Sequence, residues 1–219
     1  MLLRLRTLLL PCLLIAWLGA CSTTPVNESD PESMFKDAEA DIQSDRYQIA
    51  VEKLQMVKNK FPYSRFSALA QLRLGDVYFL QDQFLEAATA YELFKDLHPK
   101  HERISYALFR VGESYLKDVP GNIQRDIASA RNAESAFQQF LTRFPADPQV
   151  PEAKRQLQRA RDIQAEKEYL IGEFYFHRKK WKAASTRFEQ IVRDYRDTPS
   201  LKSAQERLDR SNAEIQKSK

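Results

Sequence analysis

From Ser33 onward apolar residues recur three and four positions apart, the spacing that lays one apolar stripe along an α-helix. Met34, Phe35, Ala38 and Ile42 form a first stripe and Ile49, Ala50, Leu54 and Val57 a second, joined at Asp45-Arg46-Tyr47. The pattern predicts further helix pairs over Phe66–Leu80 and Phe84–Leu97, over Ile104–Leu116 and Ile127–Leu141, and over Pro151–Phe176 and Trp181–Tyr195. A last amphipathic segment, Leu201–Ile215, has no partner and reads as a cap.

Two registers tie these segments together. One is nine residues long: LQMVKNKFP at Leu54–Pro62, YELFKDLHP at Tyr91–Pro99, FQQFLTRFP at Phe137–Pro145 and FEQIVRDYR at Phe188–Arg196. Its first and fourth positions are apolar, its eighth is aromatic or His, and an Ala stands four residues upstream each time (Ala50, Ala87, Ala133, Ala184). Pro62, Pro99 and Pro145 push the preceding residue out of the α region, so the second helix of each pair should stop there. The other register is GDVY, GESY and GEFY, beginning at Gly75, Gly112 and Gly172; in the first unit Ala38 replaces the Gly and Asp41 the Tyr. A Gly inside a helix costs about 1 kcal/mol relative to Ala. The expected compensation is close approach of the paired helix at its repeat Ala.

Such self-similarity means stacked helix pairs. The fold expected is all-α, a tetratricopeptide-like α-solenoid of about four helix pairs plus a C-terminal capping helix. The spacing is uneven, 37, 46 and then 51 residues between register ends, against ~34 in a regular array. The third unit's excess maps to Val119–Asp126, where Pro120-Gly121 marks a loop. The fourth stays helical in pattern and implies a helix of about seven turns. Residues 33–148 then hold three pairs, and residues 149–219 hold the last pair and the cap. A fifth unit would have only its first helix before Lys219.

The first twenty residues follow another logic. Arg4 and Arg6 precede an apolar run from Leu8 to Leu18 and then small residues, the layout of a secretory signal over 1–20. The run is shorter than the ~20 residues a membrane span needs. Leu18-Gly19-Ala20-Cys21 resembles a bacterial lipobox, with Cys21 lipidated after cleavage; Cys12 leaves with the signal, so no disulfide forms within one chain. Acyl chains contribute ~0.8 kcal/mol per buried CH₂, which anchors the chain to a membrane. Ser22 after the Cys is compatible with the outer membrane. Residues 21–32, polar with Pro25 and Pro31, read as a lipidated tether.

Charge separates the two halves. Residues 21–148 carry 15 Lys and Arg against 19 Asp and Glu, and residues 149–219 carry 17 against 11. A basic end favours encounter with an acidic partner. No catalytic or metal-binding residues are expected: His98, His101 and His177 have no metal-ligand spacing, and neither a phosphate loop nor a nucleophile motif is present. Nucleic acid is not an expected partner, and no cofactor is. In this repeat class the first helix of each pair lines the groove, which puts Phe35, Leu72, Phe79, Tyr106 and Phe109 inward, with Ile42, Leu69 and Leu116. The acids after each Gly or Ala (Glu39, Asp76, Glu113, Glu173) argue against a clamp for a terminal carboxylate. A groove for apolar side chains of an extended segment fits better.

The lipobox, FPYS (Phe61–Ser64), LHPKH (Leu97–His101), SYAL and RVGESY within Ser105–Tyr115, RFP (Arg143–Pro145) and EFYFHRKKWKAASTRFEQIVRDY (Glu173–Tyr195) together resemble the BamD family. These are lipoprotein subunits of the β-barrel assembly machinery, and the likeness runs from about Cys21 to Leu208. It implies a non-enzymatic protein, lipid-anchored on the periplasmic face of the outer membrane. The implied partners are the periplasmic repeats of the barrel subunit BamA, unfolded outer-membrane proteins and other assembly lipoproteins. The match of Trp181 to Glu189 implies that Arg187 pairs with BamA, the alternative being a bond within the chain to Glu173 or Asp194. The front groove is similar to one proposed to read substrate signals. Arg196 departs from the family Pro. Two other readings remain: a periplasmic repeat lipoprotein scaffolding cell-wall or division proteins, and a cell-wall enzyme wrapped in a helical solenoid, which would need a catalytic domain beyond the array.

Overall fold

The computed structural model describes residues 27–218, and every regular element among them is a helix. The helices are α1 (Pro31–Gln43), α2 (Tyr47–Lys60), α3 (Arg65–Leu80), α4 (Phe84–Leu97), α5 (Ile104–Asp118), α6 (Ala128–Arg143), α7 (Val150–His177), α8 (Trp181–Asp194) and α9 (Ser200–Lys217). Each packs on the next in the chain. Contacts of α1 with α3, α5 with α7 and α7 with α9 put the odd-numbered helices in one layer, with the even-numbered ones outside it. This is the tetratricopeptide-like solenoid of four pairs with α9 as the cap. The signal over 1–20, Cys21 and the tether up to residue 26 lie outside the described residues. No described helix is long and apolar enough to cross a membrane.

The tether ends sooner than its prolines suggested. Asp30 caps α1 by accepting from the Ser33 amide at 2.9 Å, and Pro31 occupies the first helical position. There its missing N–H leaves nothing unsatisfied.

The nine-residue register is a helix-ending device. Its eighth residue is the C-cap of every second helix: Phe61, His98, Phe144 and Tyr195 share φ near −127° and ψ of 47–57°. Each donates its backbone N–H to the carbonyl of the register's fourth residue, Val57, Phe94, Phe140 or Ile191. Tyr195 adopts this geometry with Arg196 rather than Pro after it, so Pro reinforces the stop without creating it. Within three of the pairs the turn has its own repeated form. Asp45, Asp82 and Lys179 take the left-handed conformation. The amide that follows each bonds back to the carbonyl of Asp41, Tyr78 or Tyr175 at 2.9 Å, the six-to-one bond that closes a helix end.

What faces the interior glycines is an aromatic ring, not the repeat Ala. A Cβ on Gly75 would lie 2.6 Å from Tyr91, one on Gly112 2.8 Å from Phe137, and one on Gly172 2.5 Å from Phe188. These rings are the first residue of the nine-residue register. In the first unit Ala38 has the Gly place and Leu54 the ring place, and both are fully buried in one core. The added methyl at Ala38 is matched by a smaller side chain opposite, keeping the packed volume constant.

Three apolar cores result. The first joins α1 and α2 to the facing sides of α3 and α4; the middle one is built round Tyr91, Phe94, Phe137 and Phe140; the last surrounds Phe176, Phe188 and Ile191.

Candidate partner-binding site

The odd-helix layer carries a ladder of charged side chains that the repeat itself generates. Arg stands two residues before the Gly in α3 and α5 (Arg73, Arg110), and an acid one residue after it. Arg73 donates to both oxygens of Glu39 on the preceding odd helix, at 2.7 and 3.0 Å, and to Asp76 at 3.1 Å. Asp76 in turn accepts from the hydroxyls of Tyr91 (2.6 Å) and Tyr106 (2.7 Å). Burial, aided by the Asp76 charge, raises both phenols above their ordinary range, Tyr106 to about 12. Arg110 lies 3.8 Å over the Phe79 ring and donates to Tyr91 (3.1 Å) and Glu113 (2.7 Å). At the other end Arg207 of α9 pairs with Glu173 at 2.6 Å. The acids Glu39, Asp76 and Glu173 therefore tie neighbouring repeats together.

This changes the expected groove. Leu72 and Phe109, 3% and 4% exposed, belong to the core, as do Ile42 and Leu116. Phe109 packs edge-on against Phe137 and Phe140 at 5.8 and 5.7 Å. An odd helix in a two-layer solenoid faces its pair partner as well as the groove; Phe109 takes the partner side, while Leu72 is buried beneath the groove. Phe35, Phe79 and Tyr106 are half-buried. Phe35 lies 5.8 Å from Phe66, Phe79 is covered by Arg110, and Tyr106 is bound to Asp76. What opens to solvent is a cleft of about 290 Å³ at the first two odd helices, lined by Phe35, Glu39, Leu69, Arg73, Asp76 and Arg103, with Leu72 as its floor.

In α7 the ladder breaks. Leu170 takes the place held by Arg73 and Arg110, and Glu113 is left to pair with Arg110 on its own helix. Leu170 (39% exposed) and Phe174 (51%) stand out toward solvent. With Ile171, Tyr175 and Ile123 they border a cleft of about 390 Å³. Lys167 fixes its far wall by donating to the Gln124 carbonyl at 3.1 Å in the loop before α6. Arg178 lies 4.3 Å over Phe174, and with Lys179, Lys180 and Lys182 it makes an exposed basic turn. The sequence reading missed Leu170 and Phe174, although the signal was there: RLG and RVG give way to LIG.

Arg187 lies on the margin of α8, between the fully buried Ala184 and Phe188. It donates to Glu168 of α7 at 2.9 Å, not to Glu173 or Asp194, and its side chain stays 39% exposed. The remaining guanidinium N–H groups retain donor capacity toward solvent or a partner.

A two-layer helical-repeat scaffold with open clefts along its odd-helix layer is the class that fold and surface define. Among known proteins the chain belongs to the outer membrane lipoprotein family YfiO, whose model matches residues 27–219. The Vibrio cholerae outer membrane protein assembly factor BamD is 26% identical over 205 residues, covering 89% of this chain and 85% of that protein. The Neisseria gonorrhoeae protein of the same name is 27% identical over 198 residues, covering 83% and 74%. A tetratricopeptide repeat protein from Parabacteroides merdae aligns over 84% of this chain and 60% of its own, with 15% identity and a TM-score of 0.44. The family description puts the chain at the outer membrane as a lipoprotein.

Proposed function

We propose that this chain is a non-enzymatic subunit that assists β-barrel protein assembly at the outer membrane. Its back half would dock a BamA-like barrel subunit and its front cleft would take unfolded outer-membrane polypeptide. The observation that carries this reading is the family match over 27–219 together with relatives named as BamD assembly factors. The surface chemistry supports the division of labour. In the back half, exposed apolar side chains (Leu170, Phe174), a basic turn and a half-exposed Arg187 lie on α7 and α8. That combination suits an acidic partner with an apolar contact. In the front half the Phe35 cleft offers apolar walls with arginines at its edge. Other assembly lipoproteins are further partners in this reading, and Cys21 is its lipid-bearing residue.

The deciding experiment is affinity and melting on the same variant. Arg187→Glu is expected to weaken binding to the periplasmic part of BamA at least ~10-fold per folded molecule, as loss of a desolvated charge pair does, with a modest fall in melting because the new carboxylate faces Glu168. Unchanged affinity per folded molecule together with a lowered melting temperature would mean that the Arg187–Glu168 pair is purely internal. For the anchor, Cys21→Ser should disappear from the outer-membrane fraction; normal recovery there would overturn the lipid assignment.

A further inference from the structure

The two halves of the molecule meet on one helix. The first part of α7, with Ala153 and Ala160, closes the middle core, while from Ala165 onward it belongs to the last core. The first and middle cores share a side chain, Tyr78, which packs against both. Among the described residues no hydrophobic side chain is shared in this way by the middle and last cores. Where the solenoid changes from front to back, the continuous α7 helix and a set of polar contacts carry the junction.

Those contacts centre on Arg161, near the end of the α7 stretch that packs on the middle core, which runs to Ile163. Its Nη1 donates to Glu134 of α6 at 2.7 Å. Nε and Nη2 hold the Asp197 carboxylate at 2.9 and 2.7 Å, and Nη2 also reaches the Asp194 carbonyl at 2.8 Å. Asp194 ends α8 and Asp197 lies in the turn before α9, so one guanidinium joins a front helix to the back-half turn. Its neighbours repeat the link. Gln164 donates to the other Glu134 oxygen at 2.6 Å and accepts from Tyr195 at 3.3 Å, while Gln158 donates to the Asp197 carbonyl at 2.9 Å. Glu134 and Arg161 are both mostly buried, where the geometry of a charged hydrogen bond is most restrictive. The fork presents donors in two directions from one plane, which an ammonium cannot reproduce.

We propose that Arg161 is the residue that fixes the angle between the front repeats and the back repeats. It is a positioning residue for whatever occupies the two surfaces. Without it α7 stays helical and packed on the middle core, but the turn after α8 loses its tie to α6 and the α8–α9 end samples a wider range of orientations. The angle is a property of the chain alone. Its consequence, that partner docking at the back bears on the front cleft, rests on the assembly reading.

The test is double electron–electron resonance on the full chain without partners, so that its outcome is independent of the assembly reading. Spin labels at Thr89→Cys on α4 and Ser203→Cys on α9 report the front–back distance. Labels at Thr89→Cys and Gln139→Cys report a distance within the front half, and single-label samples correct for the native cysteines. Arg161→Met is expected to widen the front–back distribution about twofold and leave the front pair unchanged; Arg161→Lys should recover only part of the narrow width. An unchanged front–back width in folded Arg161→Met, or equal widening of both pairs, would overturn the assignment. Should that variant fail to fold, Asp197→Asn carries the same readout at a half-exposed residue: widening supports the assignment and an unchanged width overturns it.

Discussion

The front repeats and the last repeat obey the same backbone grammar and use it for opposite ends. In α3 and α5 the residue two before the Gly is an Arg that joins the network along the odd-helix layer, reaching Glu39 or the Phe79 ring. In α7 the corresponding residue is Leu170, which joins nothing and stands exposed. Front-half residues 21–148 are net acidic, yet Glu39, Asp41 and Asp76 are already paired; residues 149–219 are net basic, with Arg178 to Lys182 largely in solvent. Where Leu170 replaces the register Arg the ladder does not continue, and apolar side chains reach solvent beside a separate basic turn.

The largest expected effect tests the packing that both regions share. Gly75→Leu and Gly172→Leu would each drive a side chain into a buried ring, since even a Cβ lies 2.6 or 2.5 Å from it. Each should cost about 3 kcal/mol or more by overpacking. Because the last core is joined to the middle one through α7 and polar contacts, Gly172→Leu should melt the back half first and split the calorimetric transition. Gly75→Leu should lower a single one. Gly121→Ala, with nothing near its Cβ, is the control expected to be silent. A single shared transition for Gly172→Leu would erase the distinction between the halves.

A smaller effect separates the buried carboxylate of the front from the exposed one of the back. Asp41, 2% exposed, takes the place that Tyr holds in the other units and is met by Lys53 at 2.6 Å and Arg46 at 2.8 Å. Burial alone would raise its carboxyl, but the hydrogen bonds from Lys53 and Arg46 outweigh that and hold it below the usual range. Hydrogen bonds from Arg161 lower Asp197 likewise, at 48% exposure. A carboxyl depressed on folding contributes stability that is present above its unfolded value of ~3.9 and lost as pH falls through the folded one. Asp41→Asn should therefore cost about 2 kcal/mol at neutral pH and flatten the acid limb of the stability curve. Asp197→Asn should flatten it less. Chemical denaturation between neutral pH and pH 3 measures both, and equal effects would contradict the burial difference.

The smallest effect would bring the last register into line with the others. Tyr195 already has the backbone angles that Phe61, His98 and Phe144 show before proline. Arg196→Pro should therefore be tolerated and stabilise by about 0.5 kcal/mol through the unfolded chain. A clear loss in thermal melting would show that the final turn differs from the rest.

The apolar spacing and the two registers determined the fold class, the number of pairs, the loop at 119–126 and the long α7. Those follow from local rules: periodicity, proline stops and helix-ending residues act within a few positions of one another. Even the exchange of Arg for Leu at 170 was legible as a broken register. Tertiary structure alone decided which face each side chain took. It put Phe109 and Leu72 into the core and the register's aromatic rings against the glycines. It also gave Arg187 to Glu168 and brought Glu134, Arg161 and Asp197 together across three elements. Residues so far apart in sequence meet only after the superhelix has formed. Periodicity shows that a helix has a buried side, but neighbouring repeats decide how that side is divided between partner helix and groove.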